Sequence, residues 1–247
     1  MAYPIDLSAE VALVTGGSRN IGLAVAKALR AAGARVCIWG GSDRAALEAA
    51  LVALGDDAGA AMGGLVKVED ENSVVAGYDE IEAQFGPVSI LVNSAAVRPY
   101  DPLVTMSRAI WTQTVDVILT GAFLTSRELV RRLPRERNGA IVNLGGISAH
   151  RPAKDRAHVI AAKTGLIGLT RALAEEGLGR IRANCVVPGA IDTERNVSQI
   201  RPRFADDRGY ALGRPADVAN AVLPLADPSE QYVTGQTVHV SGGRFMP

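Results

Sequence analysis

Val11-Ala12-Leu13-Val14-Thr15-Gly16-Gly17-Ser18-Arg19-Asn20-Ile21-Gly22-Leu23-Ala24-Val25-Ala26-Lys27-Ala28-Leu29 is the stretch whose reading decides the fold. Val11 to Thr15 reads as a buried strand, Gly16 to Gly22 as a tight turn, and the residues from Ile21 onward as a helix. Glycine lets a chain turn sharply and come close to a phosphate, and the free N–H groups at the next helix's N-terminus carry the positive end of its dipole. Strand, glycine-rich loop and helix thus follow one another in the order a dinucleotide diphosphate site requires. Gly16, Ser18, Arg19, Asn20, Ile21 and Gly22 are its candidate contacts.

Outward from this stretch the same alternation continues. Strands are expected at Val11-Thr15, Arg35-Trp39, Gly64-Val68, Ile90-Val92, Ala140-Leu144, Arg182-Val187 and Thr237-Val240, and helices near 21-32, 42-54, 71-85, 107-132, 157-178 and 215-226. Non-alternating apolar strands separated by helices are βαβ units, and right-handed crossovers then build one parallel sheet covered on both faces. The expected fold is α/β, a doubly wound Rossmann fold with a single parallel sheet of about seven strands. No linker or repeat interrupts it, so residues 1-247 read as one domain. Residues 190-213 are the least patterned and sit where such folds place a substrate lid. Arg195, Arg201, Arg203 and Arg208 crowd this segment and suit an anionic, acyl-CoA-like substrate, but Glu194, Asp206 and Asp207 interleave them as in an ordinary solvated loop.

Composition narrows the functional classes. Of 247 residues, 48% are hydrophobic and 21% charged, and 26 basic side chains balance 26 acidic ones. A neutral chain has no global attraction to nucleic acid or to an anionic membrane. No apolar run reaches the ~20 residues that span a bilayer, and the first residues lack a basic segment followed by an apolar one. Cys37 and Cys185 stand alone in apolar strands and read as reduced core residues. A cytoplasmic protein is expected.

Nearly the whole chain resembles the short-chain dehydrogenases/reductases. Thr15 to Gly22 is similar to the family's TGxxxGxG with Asn20 at the middle glycine. Asn93-Ser94-Ala95-Ala96 resembles its NNAG, and Val187-Pro188-Gly189-Ala190-Ile191-Asp192-Thr193 its PGxIxT. Tyr232-Val233-Thr234-Gly235-Gln236 with Gly242-Gly243 resembles its C-terminal signature. The resemblance implies binding of NAD or NADP, with Asn93 among the cofactor contacts, and hydride exchange with an alcohol or ketone. It also implies a tetrad: a Tyr acid/base, a Lys four residues later on the same helix face, a Ser at a strand end and an Asn in the middle helix. Only Lys163 of the four is retained. Val159 stands at the tyrosine, Gly146 at the serine and Ile118 at the asparagine, and none of these can donate a proton or bind an oxyanion. His158, Ser148, His150 and Tyr100 are the nearby polar residues that could replace them. His158 is expected to point about 100° from the catalytic face, and all four read more simply as solvent-facing or locally bonded residues.

The cofactor positions are eroded as well. The end of the second strand offers Gly40-Gly41 where an acidic residue holds the adenosine ribose or a basic one a 2′-phosphate. Arg19 suits such a phosphate, or is a surface residue. Lys67-Val68 occupies the family's adenine-binding Asp-Val, and Ala96 adds a methyl to the NNAG glycine. Weak or no dinucleotide binding is expected in this chain, with NAD or NADP carried by a partner.

Two functions remain open. One is a non-catalytic subunit joined to a catalytically active family member in a hetero-oligomer, a tetramer by family analogy, acting on a hydroxyacyl-CoA. The heteromeric 2-[hydroxy(phenyl)methyl]-succinyl-CoA dehydrogenase of anaerobic toluene degradation combines active and inactive members in this way, and the chain resembles its inactive subunit. The alternative is an active NAD(P)-dependent oxidoreductase with non-standard acid/base residues. Ala161, Ala162, Gly165 and Gly168 are small enough for helices to pack closely across a subunit contact, or simply within one chain.

Overall fold

The computed structural model describes residues 5–55, 59–193 and 211–247. Its strands are β1 (Val11–Thr15), β2 (Arg35–Gly40), β3 (Ala61–Leu65), β4 (Ile90–Asn93), β5 (Gly139–Leu144), β6 (Ile181–Pro188) and β7 (Thr237–Val240). They pair in the order β3-β2-β1-β4-β5-β6-β7, and every pairing is parallel. The order reverses between β1 and β4, which opens the crevice at the C-terminal strand ends where doubly wound sheets bind ligands. Helices α1 (Asn20–Ala31), α2 (Arg44–Leu54), α3 (Glu71–Phe85), α4 (Arg108–Val115), α5 (Gly121–Arg132), α6 (Ala157–Glu176) and α7 (Pro215–Ala226) connect them. No helix among the described residues is long and apolar enough to cross a membrane.

Alternation along the strands divides the core between two faces. Ala12 and Val14 pack with Val25 and Leu29 of α1, Leu47 of α2 and Val222 of α7. Val11 and Leu13 face the other way, toward Val74, Tyr78 and Ile81 of α3 and Leu129 of α5. Tyr78 is wholly buried and donates its hydroxyl to the Thr125 carbonyl at 2.8 Å, so its polar end is satisfied in the core. Cys37 and Cys185 are buried and free. Asp43, Asp70 and Ser107 each accept a first-turn N–H, from Ala46, Ser73 and Ile110 respectively, and so start α2, α3 and α4.

Two elements depart from the pattern read in the sequence. The third strand lies at Ala61–Leu65, three residues before the expected Gly64-Val68, because its register is set by pairing with Val36 to Gly40 of β2. Val66 and Val68 remain buried, but they belong to the connection that follows the strand. The expected helix over 107-132 is interrupted by a π turn at Asp116–Thr120, which carries Ile118. Insertions of this kind often occur at functional sites. Gly165 of α6 packs closely within the chain: a Cβ there would meet Leu119 Cδ2 at 2.7 Å.

The Asn93 side chain is engaged within the core. At the end of β4 its amide nitrogen donates to Asn143 Oδ1 at 2.9 Å and Ser126 Oγ at 3.2 Å, and its oxygen accepts from Thr125 Oγ1 at 2.7 Å. Asn143 on β5 continues the chain by donating to Thr170 Oγ1 of α6 at 2.9 Å. All five side chains are buried, so the network ties β4, β5, α5 and α6 together through groups with no access to water. Asn93→Ala would strand the partners of both its amide atoms, and we expect urea unfolding to show a loss of about 2–4 kcal/mol.

Candidate functional site

The glycine-rich loop closes over the start of α1. Gly16 has φ +63 and Asn20 φ +51. Asparagine enters this left-handed region more readily than other non-glycine residues, which explains how Asn20 can occupy the family's middle glycine position. Gly22 cannot be enlarged, since a Cβ there would lie 2.2 Å from the Gly16 carbonyl oxygen. Thr15 Oγ1 accepts the N–H groups of Ser94 at 3.1 Å and Ala95 at 3.2 Å, docking the loop against the continuation of β4. The helix-capping residue Arg19 supplies no side-chain cap, so the N-terminus of α1 keeps its affinity for an anion. Beside it lies a cleft of about 470 Å³ lined by Ser18, Arg19, Asn20, Leu23, Asp192 and Pro215, among others.

The structure adds one residue at the adenosine side that the sequence reading missed. Gly41 opens onto empty space, with nothing within 4 Å of where its Cβ would be. Asp43, however, lies just beyond β2 and pairs with Arg19 of the loop. The Ala46 N–H, and after it the Arg19 guanidinium, hold the Asp43 carboxyl below its ordinary range. Asp43 also caps α2, and only the approach of the loop reveals its second role. Lys67 and Ala96 are exposed. The loop therefore fits a dinucleotide diphosphate, with Gly16 to Gly22 as the residues that would hold it. Bound there, a nicotinamide cofactor would supply or accept hydride. On the adenosine side, Arg19 and Asp43 largely neutralise each other.

The four tetrad positions converge on one face of α6. Gly146 follows β5 in extended backbone; a Cβ on it would lie 3.6 Å from Ser148 Oγ and 3.9 Å from Lys163 Cγ, both ordinary contacts. A serine therefore fits there, and Ser148 is the hydroxyl that comes nearest to filling its place. Val159 and Ile118 are each 2% exposed. Ile118 packs with Ala162 and Leu166 of α6. Lys163 is 5% exposed, and its ammonium donates to the Leu144 carbonyl at 2.5 Å. Burial, and then the nearby Arg98, push its pKa down to about 7. Among the described residues no three His, Cys, Asp or Glu groups gather as metal ligands.

The histidines behave differently from the sequence expectation. His158 is not solvent-facing: it is fully buried, with the Pro99 backbone carbonyl beside its ring. Desolvation lowers its pKa, which favours the neutral imidazole. The His150 ring packs against His239 at 4.5 Å and Phe245 at 4.9 Å, so the C-terminal segment covers it. Tyr100 lies under the Arg156 guanidinium, 3.6 Å from the ring centroid. Of the four replacement candidates, Ser148 lies beside Gly146. The lid residues Glu194, Arg195, Arg201, Arg203, Asp206, Asp207 and Arg208 lie outside the described residues.

Residues 16–244 match a family model described as enoyl-(acyl carrier protein) reductase. The chain is 35% identical to the 3-oxoacyl-[acyl-carrier-protein] reductase FabG of Vibrio cholerae, over 98% of this chain and 100% of that protein. It is 36% identical to the Escherichia coli protein of the same name, with the same coverage. Among solved structures, a putative gluconate dehydrogenase from Agrobacterium tumefaciens superposes with TM-score 0.89 at 30% identity, covering 98% of each chain. A short-chain dehydrogenase/reductase from Brucella melitensis superposes with TM-score 0.87 at 28% identity over the whole of both chains. With its seven-stranded parallel sheet and phosphate loop, the chain belongs to the short-chain dehydrogenase/reductase family of oxidoreductases.

Proposed function

We propose that this family member does not itself carry out hydride transfer and serves as a subunit beside a catalytically complete homologue. The observation that carries this reading is the apolar surface at the tetrad: Val159 and Ile118 are both buried where a phenol and an amide would stand, and Gly146 has no side chain. Hydride transfer to a carbonyl leaves an alkoxide, which needs a proton donor and oxyanion contacts. Valine and isoleucine provide neither. The partner would bind NAD or NADP, while this chain binds either weakly or not at all. The relatives' names include 3-oxoacyl thioester reductases, which fits a complex acting on a hydroxyacyl or oxoacyl thioester such as an acyl-CoA. The heteromeric dehydrogenase of anaerobic toluene degradation is the pattern this assembly would follow.

A second reading, an active NAD(P)-dependent oxidoreductase with unusual acid/base groups, is the one the comparisons favour, because the curated relatives at 35–36% identity are named as reductases. Ser148 and Lys163, close to Gly146, are the groups it would use.

Turnover of the purified chain separates the two. With 3-oxoacyl-thioester substrates and either nicotinamide, we expect no rate above background; a steady rate abolished by both Ser148→Ala and Lys163→Met would establish the second reading. Calorimetry should give a Kd for NAD and NADP of about 200 µM or weaker, on the order of −5 kcal/mol, and low-micromolar binding would count against a silent subunit. Co-expression with homologues that retain the full tetrad should give a mixed complex by native mass spectrometry, with activity that depends on the partner's tyrosine. If only homo-oligomers form, the subunit assignment fails.

A further inference from the structure

We propose that the turn after β7, residues 241–245, is an acid-released clasp over the loop that follows β5, held shut by the neutral rings of His150 and His239. Gly242 at φ +58 and Gly243 at φ +78 reverse the chain after Ser241. The Arg244 N–H closes the turn by donating to the Ser241 carbonyl at 3.2 Å, and Ser241 Oγ accepts the Phe245 N–H at 3.3 Å. The turn lays the Phe245 ring against both imidazoles, 4.9 Å from each, while the imidazoles meet edge to face at 4.5 Å. His239 belongs to β7. His150 follows the short helical turn Ile147–Ala149 and donates its N–H to the Ile147 carbonyl at 3.0 Å. Arg151 reaches across to the Arg244 carbonyl at 3.1 Å. Gly146 and Ser148 lie in the same loop, so the three rings tie the turn after β7 to the tetrad positions.

This junction is built for neutral rings. The Nε2 atoms of both histidines are buried and have no hydrogen-bond partner. A protonated imidazole is a donor at both nitrogens, so acid would place charged N–H groups without acceptors on two rings in contact. The neighbouring charges do not offset this. Arg151 and Arg244 are cations, and Lys163 of α6, whose stem passes Gly146, adds no negative charge. Among the described residues no carboxylate of α6, β6 or α7 bears on either ring. Desolvation, and for His239 the adjacent His150, accordingly lower both pKa values. A histidine whose pKa is lower in the closed form takes up its proton on opening. Closure is therefore favoured above the ordinary imidazole value of about 6.5 and is lost as the pH falls below it. Between pH 7.5 and pH 5 the ratio of open to closed forms rises by up to about 30-fold for each ring, the limit in which the closed form takes up no proton. This device holds whether or not the chain turns over a nicotinamide.

Hydrogen exchange of the full chain, read by mass spectrometry at pH 7.5 and pH 5 and corrected for the intrinsic exchange rate at each pH, tests it. Protection over residues 146–151 and 238–247 should fall at least about tenfold at pH 5, while that of β1 and β4 holds, which separates opening of the clasp from acid unfolding. His150→Phe and His239→Phe keep a ring that cannot be protonated. Each should remove about half of the effect on a logarithmic scale, and the double variant should keep both segments protected at pH 5. Phe245→Ala should open both segments at pH 7.5 as acid does. Should the double variant fail to fold, imidazole 15N titration of the wild-type chain, which has three histidines, decides: His150 and His239 should titrate below about 6.5, in step with the loss of protection. Equal protection at the two pH values, a loss that spreads equally to β1 and β4, an acid effect undiminished in both phenylalanine variants, or titration of both histidines at or above about 6.5 would overturn the proposal. Exchange reads the clasp and the turnover assay reads the nicotinamide, so the two conclusions fail separately.

Discussion

The chain of buried side-chain hydrogen bonds from Thr125 through Asn93 and Asn143 to Thr170 is the constraint around which the ligand end of the molecule is arranged. Each member is buried, and a lost partner cannot be replaced by water. Such a network specifies one register: β4 beside β5, with α5 and α6 placed so that Thr125 and Thr170 reach the two asparagines. Immediately beyond it, Thr15 fastens the phosphate loop to Ser94 and Ala95. The loop, α5 and α6 are therefore held by this network, to which Ile118 adds its packing against α6 and Lys163 its bond to the Leu144 carbonyl.

The frame accommodates apolar side chains at positions 118 and 159. A buried polar catalytic group costs desolvation free energy unless its partners compensate, so apolar residues at positions 118 and 159 do not weaken the fold that holds them. Ile118 joins Ala162 and Leu166 in a small apolar cluster between the π turn and α6. Lys163 is the exception. An amine in such surroundings bears a desolvation penalty and lowers its pKa to about 7 in response.

How far the sequence could be read differs from residue to residue. The phosphate loop was legible because its signal is local: Gly16, Asn20 and Gly22 are dictated by a turn only a few residues long. The tetrad positions came from the family resemblance of three short motifs, and in the structure Ile118 and Gly146 lie against α6, which carries Val159 and Lys163. His158 was not, because helical angle alone places it away from Val159, whereas the loop after β4 folds over it and buries it. Asn93 resembled a cofactor residue because its motif sits at a strand end, but the partners that claim its side chain lie 32 and 50 residues away in the chain. Asp43 carried no signal of its own in the sequence, because its partner Arg19 comes from another loop.

By itself the sequence determined the alternation of strands and helices, the parallel sheet and the glycine-rich loop. These depend on periodicity, on glycine geometry and on which side chains carry polar atoms, all properties of short segments. Tertiary structure decided the limits of β3, the π turn, the fate of each histidine, the pairing of Arg19 with Asp43 and the environment of Lys163. Those depend on which distant elements meet and on how much water their meeting excludes, and the local sequence does not encode either.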